Sequence, residues 1–488
     1  MWPRHWTAHR LHRWSGLAAG LWLAVLGATG FVLDHREWAW LWQSGVPPAW
    51  VPERIADQAA RGHVRLYRIL DAHRRLAGGP AGLWWSEDAG DHWQRVRPSR
   101  GERLPPVHQL LRTADGWLLA TADGIWKLPS GSFAARPWGL PGQAVTAIAP
   151  RDTNRLWAVV GRSTVVSVDR RTADSRPVNL PAIPADILPP TVDLSRWVHD
   201  LHFGRGLFVA PWSLLWSDVT AIGWVALPLG GFLYWWLPRR FRAKRRAGQP
   251  VSGGRRRRWM RWLYRTHAPT VGLLVLVPLL YLSVTGILLD HATALRPWMK
   301  ATHLSRAVLP PVYDLPSWQG EIRAVVGWPD HPDRLSLGTR LGLFTLEGGV
   351  IRREPLAGGQ AVFVWVARQD EGVLALGGMG GPNHVWTDGR WIPQPPGAHM
   401  PSDVTRDEQG RLLWKTRAGL RQQTSTGYRT LATPVPDLGY VPWYHVLDGL
   451  HSGMLIHPQW KWINDLVALL ALLLAGTGVW RWWRVKWL

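Results

Sequence analysis

Residues 15–33, SGLAAGLWLAVLGATGFVL, form an unbroken run without a charge, and no other feature constrains the chain as much. Coiled as a helix, such a run is long enough to cross a hydrocarbon core of about 30 Å. Three further apolar runs follow at 219–237, 270–289 and 464–480. Residues 1–13, 238–266 and 481–488 border these runs and carry Arg and Lys but no Asp or Glu. Positive charge beside apolar spans marks the cytoplasmic side. All three blocks agree on four helices, both termini inside and two large loops outside. A cleaved signal peptide is the rival for the first run, since Arg4, Arg10 and Arg13 precede it. The length of the run and the lack of a small-x-small site after it favour a retained helix.

The net charge of +23 raises the question of nucleic acid. Most of the excess sits in the three border blocks, so the lipid bilayer is the expected partner and nucleic acid is not. There is no cysteine, which excludes disulfides, thiolate metal sites, iron–sulfur clusters and cysteine nucleophiles. The 37 tryptophans gather near the ends of the apolar runs, where amphipathic rings settle at a bilayer interface.

The first and third runs close on the same heptad, Thr29-Gly30-Phe31-Val32-Leu33-Asp34-His35 and Thr285-Gly286-Ile287-Leu288-Leu289-Asp290-His291. The second and fourth also match. Leu201-His202-Phe203-Gly204 corresponds to Leu450-His451-Ser452-Gly453, Asp218 to Asp465, and Gly231-Phe232 to Gly478-Val479. The halves therefore read as parallel repeats, a pattern that places a site near the axis relating them. Pro228 and Pro278 fall inside spans, where neighbouring helices can re-satisfy the freed carbonyls. Gly16, Gly20 and Gly27 make a narrow face on the first helix, suited to close helix packing or to a flat cofactor.

Between the spans, short strands alternate with Gly, Asp and Asn turns. The expected division is 1–35 (N-terminus and first helix), 36–200 (first β-rich segment), 201–238 (interfacial segment and second helix), 239–266 (basic loop), 267–291 (third helix), 292–442 (second β-rich segment) and 443–488 (interfacial segment, fourth helix and tail). Ser86-Glu87-Asp88-Ala89-Gly90-Asp91-His92-Trp93 fits the Asp-box and resembles the hairpin turns of sialidase-like β-propellers, where it is structural. Segments 115–126, 337–344, 387–391 and 407–414 look like further blade turns. Each outer segment has room for three or four blades. They could pair into one propeller or form two β domains. The fold class is a four-helix transmembrane bundle with a mainly-β, propeller-like extracytoplasmic domain.

No G-x-S-x-G, H-E-x-x-H, phosphate loop or dinucleotide fingerprint appears. What repeats is histidine at helix ends: His12 with His267, His35 with His291, and His202 with His451. Imidazoles from different helices are a natural axial set for haem iron in a bundle. The 23 residues from His12 to His35 rise about 35 Å, so one pair could not serve both faces, and two haems are expected. Asp34 and Asp290 either cap helix ends or accept from neighbouring imidazoles. A zinc site involving His445, His451 and His457 is the rival metal reading.

His12-Arg13-Trp14-Ser15-Gly16-Leu17 with Thr29-Gly30 resembles the opening helix of the PepSY-associated transmembrane proteins. Leu201-His202-Phe203-Gly204-Arg205 with Tyr234-Trp235-Trp236 resembles their second signature helix, and Leu450-His451-Ser452-Gly453 with Thr477-Gly478-Val479-Trp480 repeats it. The resemblance covers under a third of the chain. It implies an inner-membrane protein of iron acquisition, some of whose relatives are b-type haem ferric-siderophore reductases, with family ligands falling on His12, His202 and His451. Two features depart from the family: the outer segments do not look like the compact PepSY module, and His267 lacks the His-Arg-Trp context. The expected function is haem-b electron transfer from a cytoplasmic or quinone donor to a periplasmic acceptor, a ferric siderophore. The alternatives are a membrane-anchored β-propeller sensor or scaffold and a transporter.

Overall fold

The computed structural model describes residues 8–99, 101, 103–249, 253–356, 363–370, 373–379, 381–398, 400–424 and 427–487. Arg4 of the first basic block lies outside them. The chain forms two compact units. One combines Met1–His35, Asp193–Thr302 and Leu447–Leu488; the other combines Arg36–Val192 and His303–Val446. Each is built from both halves of the sequence.

The helical unit contains α1 (Ala8–Asp34), α2 (Leu194–His202), α3 (Trp212–Arg246), α4 (Gly253–Arg265) and α5 (Leu276–Asp290), the end of α6 (Trp443–His451), and α7 (Lys461–Trp487). Three of these, α1, α3 and α7, are long and apolar enough to cross a membrane. The expected span at 270–289 is bent near its start, where Arg256–Gly272 and Leu276–Asp290 meet at 60°. Pro269 and Pro278 each remove an N–H that would have bonded the carbonyl four residues back, so the ladder is weakest between them. Residues Thr266–Gly272 relax into a π-helical turn. Counted as one broken span, the bent pair makes a fourth.

Helix α1 packs against α3 and α7, and α7 against α5. Ala19, Leu23, Trp224, Leu279, Val467, Ala471 and Ala475 form the shared core, drawn from all four. The narrow face of α1 serves this packing. A Cβ at Gly27 would lie 2.8 Å from Trp224 Cβ and 2.9 Å from the Ala221 carbonyl, and one at Gly20 would lie 3.4 Å from Pro228.

The second unit is mostly β. Among the described residues, five sheets of four strands and one of five follow one another; each is a four-stranded meander, to which the five-stranded sheet adds Arg97–Pro98 in parallel pairing. Their leading strands are β1 (Leu66–Ile69), β2 (Val107–Thr113), β3 (Val145–Pro150), β4 (Ala324–Gly327), β5 (Phe363–Asp370) and β6 (Asp403–Arg406). Each neighbours the next, and β6 returns to β1, so the sheets close a ring. Each outer segment supplies three sheets, and both segments share one unit. Apolar side chains fill the wedges between sheets, such as Leu76, Trp85, Leu110 and Trp117 between the first and second. At the Asp-box, the Gly90 N–H donates to Ser86 Oγ (2.8 Å), which donates to Asp88 Oδ1 (2.8 Å), and Asp88 Oδ1 also accepts from His92 N–H (2.9 Å). The motif is a hairpin turn, and Asp88 is engaged in building it.

Two seams join sheets from different halves. At the β3–β4 seam, Gly327 comes so close to Pro150 that an added Cβ would sit 1.6 Å from its carbonyl oxygen. At the β6–β1 seam, Asp403 is fully buried and accepts from the guanidiniums of Arg68 and Arg368 and from Tyr67 N–H (2.9 Å). Burial alone would raise its pKa; the two guanidiniums and the amide hold it below the usual carboxylate range. Its stabilisation is therefore present above that range and is lost as pH falls through the lower folded value. Removing the charge strands two buried cations, which costs about 3–5 kcal/mol in such settings. Asp403→Asn is expected to lower the thermal midpoint of the full chain in detergent, followed by tryptophan fluorescence; an unchanged midpoint contradicts the role given to this seam.

Candidate functional site

Three of the repeated histidines share one kind of seat, and a fourth, His267, has a variant of it. His451, at the end of α6, places Nδ1 2.8 Å from Thr29 Oγ1 on α1. His202, at the end of α2, places Nδ1 3.1 Å from Thr285 Oγ1 on α5. His12, near the start of α1, places Nδ1 3.0 Å from Thr477 Oγ1 on α7. In each case the hydroxyl already donates inside its own helix, Thr29 to Val25 O (2.7 Å), Thr285 to Leu282 O (3.3 Å) and Thr477 to Leu473 O (2.7 Å). A hydroxyl has one proton, so toward the imidazole it can only accept. Nδ1 therefore carries the hydrogen and Nε2 keeps its lone pair.

The glycine after each threonine makes room for the ring. A Cβ at Gly30 would lie 3.6 Å from His451 Cε1, at Gly286 3.7 Å from His202 Cε1, and at Gly478 3.3 Å from His12 Cε1. His267, on the π-helical turn, rests on Gly230 and Gly231 of α3, whose added Cβ atoms would lie 3.4 Å from Nδ1 and 3.2 Å from Cε1. Gly231 corresponds to Gly478, so Gly230 stands where the other seats have threonine. His267 Nδ1 is buried and meets no hydroxyl; its ring lies beside the Leu227 carbonyl, one turn before Gly230.

The helices end cleanly behind two of these rings. Gly204 and Gly453 follow His202 and His451 with φ of 68° and 75°, the left-handed cap that glycine adopts without strain. A Cβ there would meet Ser217 Oγ or Trp460 Cδ1 at 1.9 Å.

The four rings form two pairs. His12 and His267 have centroids 6.3 Å apart and planes at 85°. His202 and His451 are close enough to affect each other's protonation. Burial pushes His202 down to about 3, with His451 adding to the effect, and burial pushes His451 down to about 4. Both are neutral imidazoles at physiological pH, the form that can ligate a metal. Among the described residues, the side-chain hydrogen bonds of His12, His202 and His451 are those made at Nδ1 to the threonine hydroxyls. His12 and Thr29, the seat of His451, are 17 residues apart on α1, which separates the two levels by about 25 Å.

His35 and His291 are placed differently. His35 Nδ1 bonds the Phe31 carbonyl (2.9 Å), and its Nε2 lies 3.8 Å from Asp218. His291 Nε2 is 2.7 Å from Asp465 Oδ2. The two carboxylates are repeat-equivalent, so the heptad histidines face matching acids from the following helices. Asp34 lies beside Ser217 and Arg205, and Asp290 beside Asn464 and Lys461. No group of three or more His, Cys, Asp or Glu is arranged to hold a metal among the described residues. His445 packs edge-on against Trp42 at 5.7 Å, and His457 Nδ1 accepts from Gln459 N–H (3.1 Å).

The threonine seats were missed in the sequence as functional groups. The signal was present, since Thr-Gly occurs at Thr29, Thr285 and Thr477, but nothing in a linear chain says which histidine each one meets.

The family model described as the PepSY-associated TM region matches residues 9–485. No curated protein matches the chain. Among solved structures, it is similar to an extracellular domain from B. thetaiotaomicron at 11% identity, over 78% of this chain and 34% of that one, with a TM-score of 0.36. It is similar to an ancestral GH74 enzyme at 11% identity, over 78% and 40%, with a TM-score of 0.33. It is also similar to the N-terminal domain of Nup159 at 10% identity, over 74% and 88%, with a TM-score of 0.29. The chain spans about a third of the length of the first of these.

Replacing Thr29 by Val keeps the shape of the seat but removes the acceptor from His451 Nδ1, and a buried donor left unpaired costs about 1–3 kcal/mol. Thr29→Val is expected to lower the thermal midpoint of the full chain, while Thr29→Ser retains it. Equal midpoints for the two variants would show that the hydroxyl does not hold this ring.

Proposed function

This chain belongs to the family of the PepSY-associated TM region, and from that premise we propose that it is a haem-b electron carrier of the bacterial inner membrane. In this reading it reduces a periplasmic acceptor, a ferric siderophore. Four spans form a bundle of two parallel repeats, with both termini cytoplasmic. The ring of six sheets is a six-bladed propeller on the periplasmic side.

The observation that carries the reading is the set of four imidazoles in two repeat-related pairs, with Nδ1 of three of them held by a threonine hydroxyl. The donor set fits haem. His12 and His267, with ring centroids 6.3 Å apart, would supply imidazole nitrogens from two different helices to the iron. The glycine beside each ring leaves its face uncrowded. With no cysteine in the chain, thioether attachment is not open to it, which makes the haem type b. His12 with His267 would hold one haem and His202 with His451 the other. Haem in these places would supply one-electron redox chemistry. The residues of the chain set ligand identity and orientation, and the surrounding apolar helices exclude water, all of which tune potential. Electrons would enter at the His12 level from a cytoplasmic or quinone donor and leave at the His202 level. A scaffold has no use for lone pairs prepared at two levels of a bundle.

The test is the absorption spectrum of protein purified from haem-replete cells, oxidised and dithionite-reduced. The expected result is a low-spin b-type spectrum that loses about half its amplitude in His12→Ala and about half in His202→Ala. A folded, colourless protein would sink the proposal.

A further inference from the structure

The ring of sheets gathers positive charge at the end where its leading strands begin. Ser402 Oγ donates to the Arg65 carbonyl (2.7 Å), and Tyr67 N–H to Asp403, so β1 and β6 start side by side. In each sheet the second strand runs back against the first, which returns the next hairpin to the starting end. Val160 pairs with Val145 at the start of β3, and Lys415 with Asp403 at the start of β6. The hairpins just beyond carry Arg162 and Arg417. Arg65 and Arg323 stand immediately before β1 and β4, and their N–H groups donate to Gly78 and Gly338 of the second strands, both at 2.8 Å.

The two seams between the halves therefore carry matching pairs. Arg65 and Arg417 flank the β6–β1 seam; Arg323 and Arg162 flank the β3–β4 seam, where Ile322 N–H donates to the Arg162 carbonyl (3.0 Å). In a ring of six sheets these seams face each other across the axis. His108, the second residue of β2, lies near both: burial pushes it down to about 4, and Arg162 and Arg65 add to the effect. The two buried acids of this unit, among the described residues, are already engaged. Glu321 is held by Arg340 (3.1 Å), and Asp403 by Arg68 and Arg368.

The β6–β1 end is also a formed seat. Arg65 lays its guanidinium over the Trp42 ring at 4.5 Å, Tyr444 stacks on that indole at 4.0 Å, and His445 meets it edge-on. Trp42 is fixed in turn, its Nε1–H donating to the Arg36 carbonyl (2.7 Å). His445 is buried, and neither of its ring nitrogens has a partner among the described residues. Burial, then Arg417 and Arg65, push it down to about 3, so it is a neutral ring with one N–H to donate. Arg65 and Arg417 make no ion pair among the described residues. Like charges collected without a counter-ion attract an anion, and guanidiniums grip carboxylate or phosphate through paired hydrogen bonds.

We propose that this end of the ring binds a small polyanion, a molecule bearing several carboxylates or phosphates, with Arg65 and Arg417 as forks, His445 as a neutral donor and Arg162 across the axis. The site stands without the haem reading. Resting on that reading, its ligand is the acceptor, and the ring selects negatively charged iron chelates over uncharged ones.

Calorimetric titration of the full-length protein in a neutral detergent tests it, with citrate and pyrophosphate as probes. Saturable binding at one site is expected. Arg417 is exposed, so its side chain can be changed without disturbing the packing. Arg417→Ala is expected to weaken binding about tenfold, and Arg417→Lys, which keeps the charge but not the fork, to lose less. Arg136→Ala removes an equal charge from an exposed position of the same unit and is expected to change nothing. No binding at millimolar probe, or equal affinities for the Arg417→Ala and Arg136→Ala variants, overturns the proposal. Bilayers separate the sources: a citrate isotherm that survives in phosphatidylcholine and vanishes with phosphatidylglycerol assigns the site to lipid headgroups and overturns a soluble ligand. Ferric citrate is expected to bind and the uncharged tris-acetohydroxamate complex of iron is not; equal binding overturns the selection. A colourless protein overturns the haem reading instead, and the citrate and pyrophosphate isotherms then decide this proposal by themselves.

Discussion

A threonine hydroxyl inside a helix has one proton, and the carbonyl on the preceding turn is the nearest acceptor for it. Once that bond is made the oxygen can only receive. Thr29, Thr285 and Thr477 are all in this state, so each dictates from across a helix interface which nitrogen of a histidine keeps its lone pair. The backbone bond therefore does double service: it shields a polar group within an apolar helix, and it passes a preference on to an imidazole that belongs to another element. The helix packing must be close for this to work, which explains why a glycine follows each of the three threonines.

The repeat arranges these contacts crosswise. Thr29, from the first half, holds His451 of the second, and Thr285, from the second, holds His202 of the first. Neither half could present its own outer imidazole correctly alone. The heptad that both halves share is thus less a ligand motif than a receiving surface. Its own histidines, His35 and His291, lie against Asp218 and Asp465 and brace the ends of the helices.

Much of this was legible before any coordinates. Long uncharged runs announce spans because a bilayer tolerates little else, and Gly-Asp turns between short alternating runs announce strands. Repeat register shows His12 and His267, and likewise His202 and His451, to be equivalent positions, but it does not say which rings meet in space. The 60° bend near the start of the third span could not be placed from sequence, because Pro269 and Pro278 act jointly and their joint effect depends on what packs around them. The seats could not be read because they join residues hundreds of positions apart, and a linear pattern carries the donor and the acceptor without the contact. Even so, the one irregular seat was written in the alignment of Gly230 with Thr477, a mismatch whose meaning appears only when a ring is found above it.

The ring of sheets carries its own lesson. Its first three sheets are made early, and the sheet that covers the open flank of β1 arrives more than 300 residues later, after α3 and α5 have been synthesised. Until Asp403 reaches Arg68, the early half stands as an arc with two open flanks. Completion of the ring of sheets thus depends on contacts of very large sequence separation, which form slowly. A polypeptide truncated anywhere before β6 would carry a half-built rotor, which is a reason for the cell to keep a holding factor at hand while the second half is inserted.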